Sequence, residues 1–311
     1  MGVEKKKSLL EAAGELAAKK NISKKVESTE KNVEKNSLKK TASKKNEAIY
    51  DEDSILHLEG LEHIRLRPGM YIGSLGDGSN ENDGIYILLK EGIDNAVDEF
   101  SQGYGSRIDI EIKDGRVKIR DYGRGIPLGK LEQCVSDVNT GAKYNNSVFK
   151  QAIGMNGVGI KATNALSSYF RAASVRDGKM AVVEYERGVK KSSSAGAAKP
   201  GVKNGTYLEF VPDSEMFGKY QYNMDMVEKR LWNYAYLNPG LQLYCNGKLY
   251  VSEKGLEDLL MHEIGGQEKA MYAPFNYKGK DVQFVLTHTA SLERIVYSFV
   301  NGQSTDDGGT H

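Results

Sequence analysis

The sequence predicts an α+β fold, because two kinds of periodicity alternate along it. Between Ile85 and Phe100, apolar residues recur at 85, 88/89, 92/93, 96/97 and 100, the spacing of a helix pressed on a core. Met224–Leu237 repeats that pattern around the only tryptophan, Trp232. Elsewhere, alternating runs meet at Asp114-Gly115, Asp177-Gly178 and Asn246-Gly247, dipeptides that tolerate the positive φ of tight hairpin turns.

Composition narrows the class. The 311 residues carry a net charge of +1 and are 39% hydrophobic, enough for one sizeable domain and part of another. No apolar run approaches the ~20 residues that span a bilayer, and no apolar stretch follows the N-terminal lysines as in a secretory signal. No membrane association is expected. Cys134 and Cys245 stand far apart, and His57, His63, His262, His288 and His311 are scattered. A reduced, cytoplasmic protein without a zinc site or a histidine-based triad is therefore expected. The charge is uneven: residues 1–47 hold thirteen Lys and seven Glu, a surplus of six, so the remainder must total −5. With no aromatic residue and few large apolar ones, 1–49 reads as a disordered Lys-rich tail, with a nascent helix near 8–20. Its role stays open between a solubilising extension and loose, salt-sensitive attraction to nucleic-acid phosphates.

From Ala48 the character changes. A short helical piece, 58–65, precedes Arg67-Pro68-Gly69-Met70-Tyr71-Ile72-Gly73, where Pro68-Gly69 should turn the chain into an extended segment. A loop at 76–84 leads into the helix at 85–100. Arg107–Lys113 then alternates with Ile108, Ile110 and Ile112 on one face, and the return strand turns Val117, Ile119 and Asp121 inward. Further strands are expected at 170–176, 180–186 and 206–211, with 190–201 a Lys/Ser/Ala/Gly surface loop. A hairpin should occupy 242–251, and alternating stretches 281–288 and 293–300. The part beyond 265 is too short to close a core of its own, which suggests a fragment of something longer.

Three of these segments carry chemistry. On the helix at 85–100, Glu91, Asn95 and Asp98 share one flank of the apolar stripe, which places a carboxylate and a carboxamide one turn apart at a half-buried edge. Asp121 keeps the parity of a core face, where a carboxylate is costly unless it is hydrogen-bonded. It either caps the turn Gly123-Arg124-Gly125-Ile126-Pro127 or accepts from a ligand's amino group, and the neighbouring motifs favour the second. Gly154-Met155-Asn156-Gly157-Val158-Gly159 opens into a helical run at 160–166, so close backbone approach combines with free N–H groups at a helix start, a setting suited to phosphate. The spacing is not that of a dinucleotide fingerprint, and no Gly-Lys-Ser/Thr ending makes it a Walker loop.

Together these segments resemble the ATP site of the GHKL ATPases. The Arg67–Gly73 motif, Asp121-Tyr122-Gly123-Arg124-Gly125-Ile126-Pro127 and Gly308-Gly309-Thr310-His311 are more specific, and resemble the B subunits of bacterial type II topoisomerases, DNA gyrase and topoisomerase IV. The resemblance covers 50–311. It implies a Bergerat sandwich, a mixed, mainly antiparallel sheet with helices on one face, over 50–265 with an N-terminal dimerisation arm, and the truncated start of a transducer domain over 266–311. It implies ATP and Mg²⁺ as ligands and ATP-driven dimer closure around captured double-stranded DNA. A homodimer through the arm, a topoisomerase A subunit as partner and a nucleoid-associated location follow from it.

Residue by residue, the resemblance makes Glu91 the general base and Asn95 the Mg²⁺ ligand. Asp121 would read adenine with Thr206 beside it, and Arg124, Gly125, Pro127 and Lys143 would line the pocket. Gly154, Met155, Asn156, Gly157, Val158, Gly159 and Ile160 would cover the phosphates, and Tyr50 with Ile55 would reach the partner's nucleotide. Ile87 stands where a histidine often precedes the base, Asn156 where the covering loop often has histidine, and Phe149 where a tyrosine often meets adenine. These departures tilt the resemblance toward topoisomerase IV. The family's transducer lysine would lie beyond residue 311, so weak turnover is expected. The alternatives are a binding-only protein without that lysine and another GHKL ATPase, such as a mismatch-repair type.

Overall fold

The computed structural model describes residues 58, 60–141, 153 and 157–305. The tail at 1–49, Tyr50, Ile55, Lys143, Phe149, Gly154, Met155, Asn156 and the closing motif at 308–311 all lie outside them. Helix α1, Gly60–Leu66, ends two residues before Pro68, and α2, Gly69–Ile72, follows at once. The extended segment expected after Pro68-Gly69 is therefore a helical turn. Pro68 sits at φ −60° and ψ −33°, already helical, and so starts a helix instead of a strand. Helix α3, Gly84–Ser101, is the expected central helix.

Strands β1 (Arg107–Lys113) and β2 (Arg116–Asp121) pair through Asp114-Gly115, both at positive φ. After α4 (Leu131–Ser136) and α5 (Gly159–Ala165) come β3 (Ser167–Arg176), β4 (Lys179–Glu186), β5 (Val189–Ala197) and β6 (Gly205–Pro212). Helices α6 (Ser214–Phe217) and α7 (Met224–Leu237), the hairpin β7 (Gln242–Cys245) and β8 (Lys248–Tyr250), and α8 (Leu256–Ile264) complete the main body. The sheet runs β5-β4-β3-β6-β2-β1-β7-β8, and only the β1–β7 pair is parallel.

Strand β5 replaces the surface loop expected at 190–201. Every β5 side chain is exposed, so the buried–exposed alternation that betrays a strand is absent, while its backbone pairs along β4. Arg187-Gly188, at φ 52° and 80°, forms the connecting turn.

The core lies where α3 crosses the sheet. Ile85, Leu88, Leu89, Ile93 and Val97 are fully buried in one cluster with Ile108, Val117, Ile119 and Phe210. Each such side chain contributes about 1.5–3 kcal/mol by leaving water. Gly92 lets the helix settle closely, since a Cβ there would come within 2.5 Å of Ile119 Cδ1. Trp232 is half-buried, stacked on Tyr236 and edge-on to Tyr250.

Beyond α8, β9 (Phe275–Lys278) pairs with β10 (Gln283–Leu286), and β11 (Phe299–Val300) with β12 (Gln303–Ser304). The alternation expected over 293–300 yields a strand only at its end, and Phe275, Tyr277, Leu292 and Val296 are exposed. Among the described residues, no helix is long and apolar enough to cross a membrane.

Candidate functional site

Glu91 and Asn95 lie one turn apart on α3, at the edge of its buried stripe. The start of α5 presses against this edge. A Cβ on Gly159 would lie 1.7 Å from Glu91 Oε2, so the carboxylate rests directly on the glycine backbone. Asn95 Nδ2 donates to the Glu91 carbonyl at 2.9 Å, which turns the carboxamide oxygen away from the helix backbone. Asp98, fully buried one turn further on, accepts from the Ile153 N–H at 2.7 Å. The flank of three polar residues is thus occupied by one backbone anchor and two groups facing outward.

Asp121 ends β2 with its side chain inward, as the strand parity dictates. Its Oδ1 accepts from the N–H of Gly123 at 2.9 Å and of Thr206 at 3.1 Å. Both bonds fall on one oxygen, so Oδ2 is the atom available to a ligand. Burial pushes the carboxyl above its ordinary range, against the pull of those two N–H groups. The turn that follows is held from behind: Ser174 Oγ donates to Ile126 O at 2.6 Å and the Arg176 guanidinium to Gly125 O at 3.2 Å. Gly125 has φ 74°, and a Cβ there would meet Val175 O at 2.7 Å. Arg124 donates to the Glu99 carboxylate through Nε and a terminal nitrogen, with its guanidinium 4.2 Å from the Tyr104 ring centre.

One cavity of about 670 Å³ joins these groups. Glu91, Asn95, Asp121 and Thr206 line it, with Arg124, Gly125 and Pro127 on one wall. Gly157, Val158, Gly159 and Ile160 contribute the start of α5. Sequence reasoning missed several other lining residues: Tyr71, Lys90, Cys134, Lys161 and Gln303. Lys161 is 2% exposed and donates to Thr140 O and Gly157 O at 2.5 and 2.6 Å, bracing two separated segments. Its position in the first turn of a helix beside a glycine loop was the available signal. Gln303 comes from β12, some two hundred residues from Glu91, and no local pattern announces it.

The volume suits a ligand the size of a nucleotide. At one end stand a carboxylate, a carboxamide oxygen and a helix start. At the other, a buried carboxylate can accept from an amino group. Residues 80–213 match the family model described as histidine kinase-, DNA gyrase B-, and HSP90-like ATPase. The fold and this cavity therefore define an ATP-binding domain of that class.

The chain is 50% identical over 262 residues to the B subunit of DNA topoisomerase 4 from Borreliella burgdorferi, covering 84% of this chain and 43% of the relative. To the B subunit of DNA gyrase from Mycolicibacterium smegmatis it is 31% identical over 323 residues, with 87% and 47% covered. It thus spans less than half the length of these relatives. The crystal structure of the 43K ATPase domain of Thermus thermophilus gyrase B, in complex with an aminocoumarin, superposes with a TM-score of 0.63 at 28% identity, covering 79% of this chain and 67% of that one. The gyrase B protein of Myxococcus xanthus shares the fold at 21% identity and a TM-score of 0.65, with 79% and 72% covered. Over residues 80–213 the chain carries a domain of that ATPase class, and over most of its length it is similar to the B subunits of bacterial type II topoisomerases.

Proposed function

We propose that this chain binds and hydrolyses ATP to drive dimer closure around DNA in a type II topoisomerase of the topoisomerase IV kind. The observation that carries the reading is the placement of Glu91 with Asn95, and of Asp121 with Thr206, on the walls of one cavity. Adenine lies at Asp121, its amino group donating to Oδ2, with Thr206 alongside. The triphosphate runs toward the start of α5, where the free N–H groups and the dipole favour negative charge. Gly157, Val158, Gly159 and Ile160 stand beside it with Arg124 on the pocket wall, while Lys143, Gly154, Met155 and Asn156 fall outside the described residues.

At the far end a water attacks the γ-phosphorus while Glu91 accepts its proton, and the bond to ADP breaks as inorganic phosphate forms. A base so placed contributes about 10²–10⁴ in rate. Asn95 offers a hard oxygen donor suited to Mg²⁺. Among the described residues no cluster of His, Cys, Asp and Glu could hold a metal ion, and Asn95 would hold Mg²⁺ jointly with the phosphate oxygens of the nucleotide. When bound, Mg²⁺ neutralises phosphate charge. The layout that goes with this reading is a tail over 1–49, an ATPase domain with its arm at Tyr50 and Ile55 over 50–265, and the start of a transducer over 266–311. The topoisomerase IV assignment is supported by 50% identity to one such protein against 31% to a gyrase B. A homodimer, an A subunit and double-stranded DNA are the partners this activity requires.

Glu91→Gln tests the chemistry. Phosphate release should fall by about 10²-fold or more while calorimetric ATP binding holds. Retained turnover in that variant would remove Glu91 as the base.

A further inference from the structure

Lys90 precedes Glu91 on α3 and lines the same cavity. Its Nζ lies 2.8 Å from Asp94 Oδ2 and 3.9 Å from Glu91 Oε1. Asp94 is 1% exposed and accepts the Tyr234 hydroxyl on its other oxygen, and Tyr234 is itself buried on α7. The anchor of the ammonium is therefore fixed from two helices, while the lysine side chain remains 21% exposed. The cation stands between two carboxylates at the end of the cavity where Glu91 meets Gly159. Ile87, one turn before Glu91, brings no polar group to this edge.

Without Lys90, Glu91 and Asp94 would present two negative charges to whatever fills that end. A terminal phosphate there would be repelled by both, weakly screened at a half-buried site. We propose that Lys90 selects a nucleoside triphosphate over a diphosphate: its ammonium offsets the two carboxylates and offers a donor to the γ-phosphate. The α- and β-phosphates lie further along the cavity, so a diphosphate senses Lys90 far less. The inference rests on the reading that the Glu91 end receives the γ-phosphate. A lysine that merely neutralised Asp94 would affect both nucleotides alike.

The test is calorimetric titration of the 311-residue chain with Mg²⁺ and either a β,γ-imido ATP analogue or ADP. Lys90→Gln keeps a donor for Asp94 and drops the charge, and Lys90→Arg restores the charge. Lys90→Gln should weaken the triphosphate analogue by about tenfold and change ADP by less than about twofold, with Lys90→Arg near wild type. An equal loss for both nucleotides, no loss for either, or an arginine variant as weak as glutamine would overturn the inference alone. A wild-type chain that binds neither nucleotide would overturn the ATP-site reading, and this inference with it.

Discussion

Replacing Asp121 by asparagine separates what the carboxylate does for a ligand from what it does for the fold. Oδ1 accepts from the N–H groups of Gly123 and Thr206, and an asparagine oxygen can keep both bonds. Oδ2 becomes an amide nitrogen, which in the proposed complex would donate where the adenine amino group also donates. Losing a hydrogen bond to a charged acceptor costs about 1.5–3 kcal/mol, or about 10- to 100-fold in the dissociation constant. Stability should move the other way. Burial raises the Asp121 carboxyl above the 3.8 of an ordinary aspartate, so between the two values the folded state holds a proton that the unfolded chain releases. The contribution of this residue to stability is therefore greatest at low pH and falls as pH rises through that window. Asparagine carries no such decline. Calorimetry with an ATP analogue and thermal melts between pH 4 and 7 should show weaker binding with equal or higher melting temperature at neutral pH. Wild-type affinity in Asp121→Asn, or a large drop in melting temperature at pH 7, would refute the reasoning.

Three further substitutions probe the Glu91 end of the cavity and the support of the fold. In Gly159→Ala the new Cβ would sit 1.7 Å from Glu91 Oε2, and contacts under about 3.0 Å essentially never occur, so the carboxylate must move by more than an ångström. A misplacement of that size costs about 10²-fold in rate, which a phosphate-release assay should register with little change in the melting curve. Asn95→Ala should remove most of the Mg²⁺ dependence of ATP affinity while leaving ADP binding without metal unchanged, as titrations with and without the ion would report. Asp213 is fully buried and accepts from Arg65 at 2.8 Å and Arg187 at 2.9 Å. Asp213→Ala leaves both cations without that partner. Since Arg187 is more than a third exposed and Glu215 remains beside it, the loss should fall near the lower end for a broken buried pair, about 3 kcal/mol by chemical denaturation.

The helix at 84–101 and the hairpin carrying Asp121 were legible because their burial follows a fixed period: every apolar position of β1 and β2 faces the core, and Asp121 inherits that parity. Glu91 and Asn95 were legible for the same reason, being one turn apart on a helix whose buried face could be counted. β5 was not, because neither face of it is buried and its strand state rests on backbone bonds to β4. Lys90 and Lys161 escaped for a different cause. A lysine in a helix reads as solvated by default, and only the approach of Asp94, itself held by Tyr234, to one, and of the Thr140 and Gly157 carbonyls to the other, makes their partial or full burial tolerable.

That contrast bears on how the two ends of the cavity can change. The Asp121 end is set by sheet register: Arg120 lies opposite Tyr207, Gly205 opposite Val175, and a Cβ on Gly205 would meet Asp121 O at 2.3 Å. A slip of one residue would turn Asp121 outward, so this end admits few alternatives. The Glu91 end depends on side chains from α3 and α7 packed beside the backbone of α5, and such side-chain contacts can be rebuilt with other residues. Ile87 and Lys90 illustrate the point: the edge of α3 has no polar side chain one turn before Glu91, and a cation beside Glu91, anchored on Asp94 that Tyr234 holds in turn, supplies charge there instead. Differences in nucleotide affinity between this chain and its relatives should accordingly trace to the Lys90–Asp94–Tyr234 cluster sooner than to the Asp121 wall. Exchanging those three residues together should alter discrimination of ATP from ADP while leaving discrimination of adenine from other bases unchanged, and a shift in base preference would contradict that division of labour.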